Sequence, residues 1–425
     1  MKGAFIFAAA VLLTCSFSFG QAQYKVLWNF GSIPNDGFSP VANLVFDSGG
    51  NLYGTTESGG ANTTEIGGTV FELSPQPDGT WTETVLYNFC SVVGLNGCLD
   101  GGAPEAGLIF DAKGNIYGTT AGGGANFCPL GYPGCGTVFE LSPGANGWTE
   151  TVLYSFCAVP GGMQRCLDGA GPRSQFVFDG AGNLYGTTAL GGSGVGYGGG
   201  TVFELSPDVG GWEEAVLYSF CSTGAGYDCE DGSTPLAGVT FDKAGNLYGT
   251  TAYNGKIFRP SGAIYRLKRQ TDSWTESLLF AMQGRSKDNY PEGSVVFDPL
   301  GNLYTTFGGG GTDNGGGVIR LSPQGRSYSS SLPYDGGGPA AGPILDVGRR
   351  LLYGTASGEG CCGGFVFQLN QSGKETTLYD FCQQPNCSDG AEPLGSLIED
   401  RAGNLYGTTK SGGEYGYGVV FEITP

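Results

Sequence analysis

A closed ring of seven four-stranded antiparallel blades, an all-β propeller, is the fold this sequence predicts, and three observations carry the prediction. The phrase FDxxGNLYGTT, complete or worn, returns seven times along the chain. Glycine supplies 81 of 425 residues, yet 40% of the chain is hydrophobic and 12% aromatic, which suits short apolar strands joined by many turns. Third, the two ends of the chain read as complementary pieces of one repeat. Collagen is excluded because the glycines follow no G-X-Y period. Disorder is excluded because apolar material is ample.

In chain order, the first element is an address. Lys2 gives a positive start, residues 4–13 form a continuous apolar run, and small residues follow at Gly20 and Ala22. This is the pattern of a secretory signal peptide, placed at residues 1–22 ahead of a single propeller domain at 23–425. The apolar run is too short to span a bilayer, and no later segment is apolar enough to do so. The mature chain is therefore expected to be secreted, periplasmic or extracellular, with no membrane span. It is expected to be a monomer.

The next element, YKVLWNF at residues 24–30, matches the fourth-strand phrase TVLYNF at 84–89, although no earlier strands precede it. The last repeat stops at VVFEITP, residues 419–425, which is its third strand. The N-terminal strand should thus complete the last blade and close the ring, removing open sheet edges.

Between these ends each repeat reads as four strands. In the second copy the first strand is apolar, GLIF at 107–110, and runs into the turn DAKGN at 111–115. Gly and Asn tolerate positive φ there, and the Asp side chain can bond the turn's own backbone. IYGTT at 116–120 is the second strand, a Gly-rich loop leads to GTVFEL at 136–141, and Ser142-Pro143 ends that third strand. The fourth, at 148–156, alternates with the period of two of a half-buried strand. The marker tyrosines Tyr53, Tyr117, Tyr185, Tyr248, Tyr304, Tyr353 and Tyr406 count seven blades.

Cysteine usage agrees with export. Apart from Cys15, the cysteines fall into close pairs: Cys90 with Cys98, Cys128 with Cys135, Cys157 with Cys166, Cys221 with Cys229 and Cys382 with Cys387, while Cys361 is adjacent to Cys362. Local disulfides are expected for the first five pairs. The CxxC spacing of a zinc site is missing, so no metal is expected.

FDxxGNLYGTTxxGG, followed by GTVFELSP and TETVLYSFC, resembles the GloVer, or Gloeo_Verruco, tandem repeat of exported bacterial proteins. The resemblance covers nearly the whole mature chain and is clearest over residues 36–251. It implies an exported repeat protein, and it brings no catalytic residues with it.

Composition narrows the chemistry. Histidine is absent, which excludes Ser-His-Asp and Cys-His catalysis and His-ligated zinc. A net charge of −19 argues against a nucleic-acid partner, and no Walker motif points to a nucleotide, so no cofactor is expected. In a propeller the fourth-to-first and second-to-third loops share one face; here these are the long loops, and binding is expected on their rim. One acid recurs there in every blade: Asp36, Asp100, Asp168, Asp231, Asp288, Asp335 and Asp389. Such a ring could hold a cation or sugar hydroxyls, but repetition in every blade favours a structural cap for each Asp-Gly turn.

A specific site is expected where repetition breaks. Glu72, Glu140, Glu204 and Glu422 of the third strand become Arg266, Arg320 and Gln368 in three blades, and 12 of the 20 basic residues lie between Lys243 and Arg350. Arg285, Lys287, Tyr290 and Glu292 share a loop that has lost its cysteines, with Phe307 in the adjoining loop. Together with Arg320, this set could clamp an acidic saccharide between guanidinium groups, a carboxylate and aromatic faces. Two functions remain open. One is a non-catalytic secreted propeller that binds glycans or cell-envelope proteins. The other is a glycoside hydrolase or lyase working with Asp/Glu and Tyr/Arg, chemistry that needs no histidine.

Overall fold

The computed structural model describes residues 22–62, 66–130, 133–161, 165–194, 198–223, 228–256, 260–271, 273–282, 290–310, 315–325, 327–331, 338–358 and 363–425. Regular structure among them is all β, apart from one 3-10 turn at Pro385–Cys387. Seven antiparallel sheets follow one another, each built outward from a short inner strand. Blade 1 comprises Val45–Phe46, Leu52–Thr56, Thr69–Pro75 and Trp81–Asn88. Blade 5 comprises Val296–Phe297, Leu303–Phe307, Gly317–Leu321 and Ser327–Ser331. Blade 6 comprises Ile344–Asp346, Leu351–Ala356, Phe365–Asn370 and Glu375–Asp380.

The ring closes as the chain ends require. Gln23–Asn29 pairs antiparallel with Val419–Thr424, Val26 opposite Phe421, and becomes the outer strand of blade 7. The protein is a seven-bladed β-propeller.

Each letter of the repeated phrase has a physical task. The Asp of the first turn accepts from backbone: Asp111 Oδ1 takes the N–H groups of Lys113 and Asn115 at 2.8 and 2.9 Å. Its Oδ2 takes the Asn115 amide and, more distantly, the Tyr117 hydroxyl. The Gly after the Tyr makes room for an aromatic ring, since a Cβ on Gly54 would stand 2.7 Å from the Phe71 ring and 2.9 Å from Leu44. The two threonines work in different directions. The second bonds across its own sheet, Thr56 Oγ1 to Thr69 Oγ1 at 2.8 Å. The first reaches the next blade: Thr55 donates to the Ala106 carbonyl, Thr187 to Ala237, Thr250 to Gly293, Thr306 to Ala341 and Thr355 to Gly395. Thr408 makes the same bond across the closure, donating to Ala42, whereas the Thr119 hydroxyl of blade 2 is buried without one.

Aromatic packing fills the space between blades. At three neighbouring interfaces the marker tyrosine of one blade meets a phenylalanine and a tryptophan of the next. Tyr53 stands 5.0 Å from Phe110 and 6.5 Å from Trp148, Tyr117 5.4 Å from Phe178 and 6.1 Å from Trp212, and Tyr185 5.0 Å from Phe241 and 6.5 Å from Trp274, all edge to face. These edge-to-face contacts add to the burial of large rings.

Five disulfides tie the long loops, and they are the five pairs that the spacing predicts. Cys90 is bonded to Cys98, Cys128 to Cys135, Cys157 to Cys166, Cys221 to Cys229, and Cys382 to Cys387. Cys98 also anchors its loop through the backbone, its carbonyl accepting the N–H groups of Gly101 at 3.2 Å and Gly124 at 2.8 Å. Cys361 and Cys362 lie outside the described residues. Cys135 Sγ and Cys166 Sγ lie 3.6 Å apart, so two disulfides touch; as disulfide sulfurs they are not thiolate ligands for a metal.

Candidate functional site at the channel mouth

Seven inner strands leave a central channel of about 770 Å³. Where the chain enters it from the long-loop face, the backbone repeats a device. A residue with positive φ precedes a proline: Ser39, Ala103, Thr234, Tyr290 and Glu392 have φ between 52° and 60°. Non-glycine residues adopt this conformation at roughly 1–2 kcal/mol each. The next element of the same blade pins it by donating to the strained residue's carbonyl, Ala121 N to Ala103 O at 2.9 Å and Gly308 N to Tyr290 O at 2.9 Å.

The residue after each proline then faces the channel. In four blades it is apolar and uncharged, Val41, Leu236, Ala340 and Leu394; in the others it is Glu105, Arg173 and Glu292. Glu105 and Arg173 form an ion pair. Beside them Lys410 Nζ lies 3.6 Å from Glu57 Oε2. Burial raises the Glu105 carboxyl, Arg173 offsets the rise, and Glu57 adds to it. Blades 7, 1, 2 and 3 therefore carry a charged but internally compensated arc.

The other side of the mouth is different. Glu292 sits where burial pushes its carboxyl up to about 7. Tyr253 and Tyr290 meet edge to face at 5.7 Å, and the hydroxyl of Tyr253 is raised by its own burial and by the proximity of Tyr290 and Glu292. A carboxyl raised by burial to about 7, close to the Tyr253 phenol, can hydrogen-bond a sugar hydroxyl as donor or acceptor.

Of the residues singled out from sequence, Tyr290 and Glu292 come together here. Arg285, Lys287, Asp288 and Asp335 lie outside the described residues. Phe307 is fully buried among Ile264, Met282 and Val295, so it offers no face for stacking. Arg320 pairs with Tyr304 and lines a different pocket, beside the 298–300 turn on the opposite face.

The recurring acids are buried caps. Asp100 Oδ2 accepts from Tyr87 Oη, Ser91 N and Ser91 Oγ at 2.9, 2.8 and 2.7 Å, and Oδ1 from Val92 N. Asp168, Asp231 and Asp389 repeat the pattern with Tyr154, Tyr218 and Tyr379, and Asp36 accepts from Gly31 N and Ser32 N. Four of them face a second acid on the outer strand, Glu83 buried and Glu150, Glu214 and Glu276 half-buried. Burial and Asp36 raise Glu83 well above the carboxylate range, burial and Asp100 raise Glu150 to about 8, burial and Asp168 raise Glu214 to about 8, and burial and Asp231 raise Glu276 to about 7. Burial raises both carboxyls of the Asp36–Glu83 pair, Glu83 the more, because Asp36 keeps two backbone N–H donors.

Tyr253, Glu105, Arg173, Glu57 and Lys410 were not singled out from sequence. Lining up the residue that follows the proline of each repeat would have exposed Glu105, Arg173 and Glu292 together.

Fold and mouth define a class: seven-bladed propellers with repeat architecture and one irregular channel entrance. The chain belongs to the Gloeobacter/Verrucomicrobia repeat family, whose model matches residues 15–166, 97–258, 134–361 and 259–425. No curated protein matches its sequence. Among solved structures, an ulvan lyase from a new family of polysaccharide lyases is 11% identical with a TM-score of 0.55, covering 92% of this chain and 94% of that one. An α-L-arabinanase from Penicillium chrysogenum is 15% identical with a TM-score of 0.46, over 79% and 94% of the two chains. An α-L-arabinofuranosidase from Fusarium graminearum is 13% identical with a TM-score of 0.46, over 84% and 97%. At these identities the likeness is one of fold. The five disulfides point to an oxidising compartment outside the cytoplasm. Among the described residues no helix is long and apolar enough to cross a membrane.

Proposed function

We propose that the protein is an exported, non-catalytic glycan-binding propeller whose ligand enters the channel mouth on the long-loop face. One observation carries the reading: Tyr253, Tyr290 and Glu292 gather two phenol rings and a near-neutral carboxyl at the channel entrance. Amphipathic rings and a carboxyl that can serve as donor or acceptor are what a neutral or acidic saccharide requires. The ulvan lyase of similar fold, bound to a saccharide, supports the reading, which rests on the mouth's own residues.

Glycan-array binding of the mature chain tests it, followed by Tyr253→Ala, Tyr290→Ala and Glu292→Gln. Each substitution should weaken binding about tenfold or more if these groups hold the ligand. Unchanged affinity in all three, with loss on replacing Asp100 or Asp168, would move the site to the ring of acids. A second reading, a lyase or glycoside hydrolase, is favoured by the position of Glu292 near neutrality. In that case saccharide turnover is detected, and Glu292→Gln abolishes it while binding survives.

A further inference from the structure

Between blades 5 and 6, on the face of the short turns, the structure holds a pocket of about 510 Å³. Its origin is legible in the repeat. At the interfaces of blades 1 with 2, 2 with 3 and 3 with 4, the corresponding place beside the marker tyrosine is filled by the indole of Trp148, Trp212 or Trp274. In blade 1 the outer hairpin continues past the Leu73–Glu83 pair through Ser74–Thr82 to Pro75–Trp81, the rung that carries the tryptophan. In blade 6 the corresponding Leu369–Glu375 pair is followed at once by the turn, with Asn370 N–H donating to the Lys374 carbonyl at 3.1 Å. The tryptophan rung is missing, and Gly373 stands in its place in the sequence. The partner phenylalanine is also gone, replaced by Leu345.

The vacated seat keeps its apolar walls. Tyr304, Leu345, Leu352 and Leu369 line it, with Leu352 and Leu369 buried. Its charge has been reversed. Arg320 occupies the strand position that is Glu72, Glu140 or Glu204 in blades 1 to 3, and Arg350 joins it at the pocket. The nearby acid, Asp298, is already engaged by four donors: Leu300 N and Asn302 N on one oxygen, Asn302 Nδ2 and Tyr304 Oη on the other.

We propose that this pocket binds a small planar aromatic carboxylate, the ring taking the seat of the missing indole and the carboxylate meeting Arg320 and Arg350. An indole-sized ring restores the edge-to-face contact that the marker tyrosine makes in the filled interfaces. The guanidinium groups select the anion. The site is separate from the channel mouth, so it stands or falls independently of the glycan reading.

Calorimetric titration of the mature chain with indole-3-acetate tests it, with indole and N-acetyltryptophanamide as the other arms. Saturable one-to-one binding of indole-3-acetate is expected, with indole about tenfold weaker through loss of the charged contact. Leu345→Trp should fill the seat and abolish binding; if that variant does not fold, Ser372→Trp blocks the pocket from the hairpin instead. Arg320→Gln with Arg350→Gln should bring indole-3-acetate down to the affinity that indole shows in the same variant. The proposal is overturned by no saturable binding at millimolar ligand, by binding that survives both filling variants, or by tighter binding of N-acetyltryptophanamide, which would make the occupant a tryptophan side chain of a partner.

Discussion

Blades 2 to 4 and blades 5 and 6 share one backbone plan and differ in what fills it. The first group keeps its tryptophans, its disulfide-tied entry loops and an outer-strand acid against each Asp cap. In blades 5 and 6 the tryptophan is gone and their entry loops hold no cysteine; the third-strand glutamate is replaced in blade 4 as well, by Arg266, and in blades 5 and 6 by Arg320 and Gln368. The strands persist because turn capping, the Thr306 and Thr355 hooks and the alternating pattern are retained. The comparison separates two functions of the repeat. Backbone-directed residues specify the blade, whereas large side chains decide whether the space between blades is packed or open.

The strongest way to break the contrast is to create the vacancy where it does not exist. Trp212→Ala should destabilise the protein by about 3 kcal/mol in denaturant unfolding, the low end of the range for a buried aromatic because this indole is only partly buried. The new cavity faces Glu140 rather than an arginine, so neutral indole should restore more stability than indole-3-acetate. Next in size, Cys221→Ser with Cys229→Ser should lower stability by about 2–3 kcal/mol, the chain-entropy value for so short a loop. A smaller loss would show that the bare entry loops of blades 5 and 6 give up little.

A third test uses pH. Glu83, Glu150 and Glu214 have carboxyls raised by burial above their ordinary value of 4.5, the latter two to about 8. The folded chain therefore binds more protons than the unfolded chain between those limits. Their stabilising contribution is complete below the unfolded value and is lost as pH rises through the folded one. The unfolding free energy should fall from pH 5 to 9, and Glu83→Gln should reduce that slope. A flat profile would mean the pairs are solvated. The smallest effect is expected from Leu345→Phe, which returns the missing ring to blade 6 and should add about 0.5–1 kcal/mol, measured as a shift in the denaturation midpoint.

The blade plan was legible because its signals are local: the Asp that caps a turn, the Gly beneath a ring and the Thr–Thr bond all act within one repeat. The disulfides were legible for the same reason, Cys98 lying within one loop of Cys90. The pairing of residues 24–30 with the last strand was legible because both ends keep their halves of the phrase. The candidate site was legible only in part. Tyr290 and Glu292 stood out through their odd loop, but Phe307 was misplaced because it occupies the second-threonine position, where Thr56 is buried against Thr69. Arg320 stood out through the replacement of the repeat's glutamate and the basic charge clustered around it, but a third-strand residue paired with Tyr304 belongs to the short-turn end. Tyr253 escaped notice because its meeting with Tyr290 joins two blades, and such contacts leave no spacing in the sequence.

Closure by Gln23–Asn29 also sets an order of events. That strand is among the first parts of the domain to be made, yet its partner, Val419–Thr424, is among the last. Each of the other six blades can form from contiguous chain as it emerges, hairpin upon hairpin. The seventh must wait with one strand in hand until nearly four hundred residues have followed, and only then can Thr408 reach Ala42. The ring has a clasp, and the time at which it fastens is fixed by the length of the chain between its two halves.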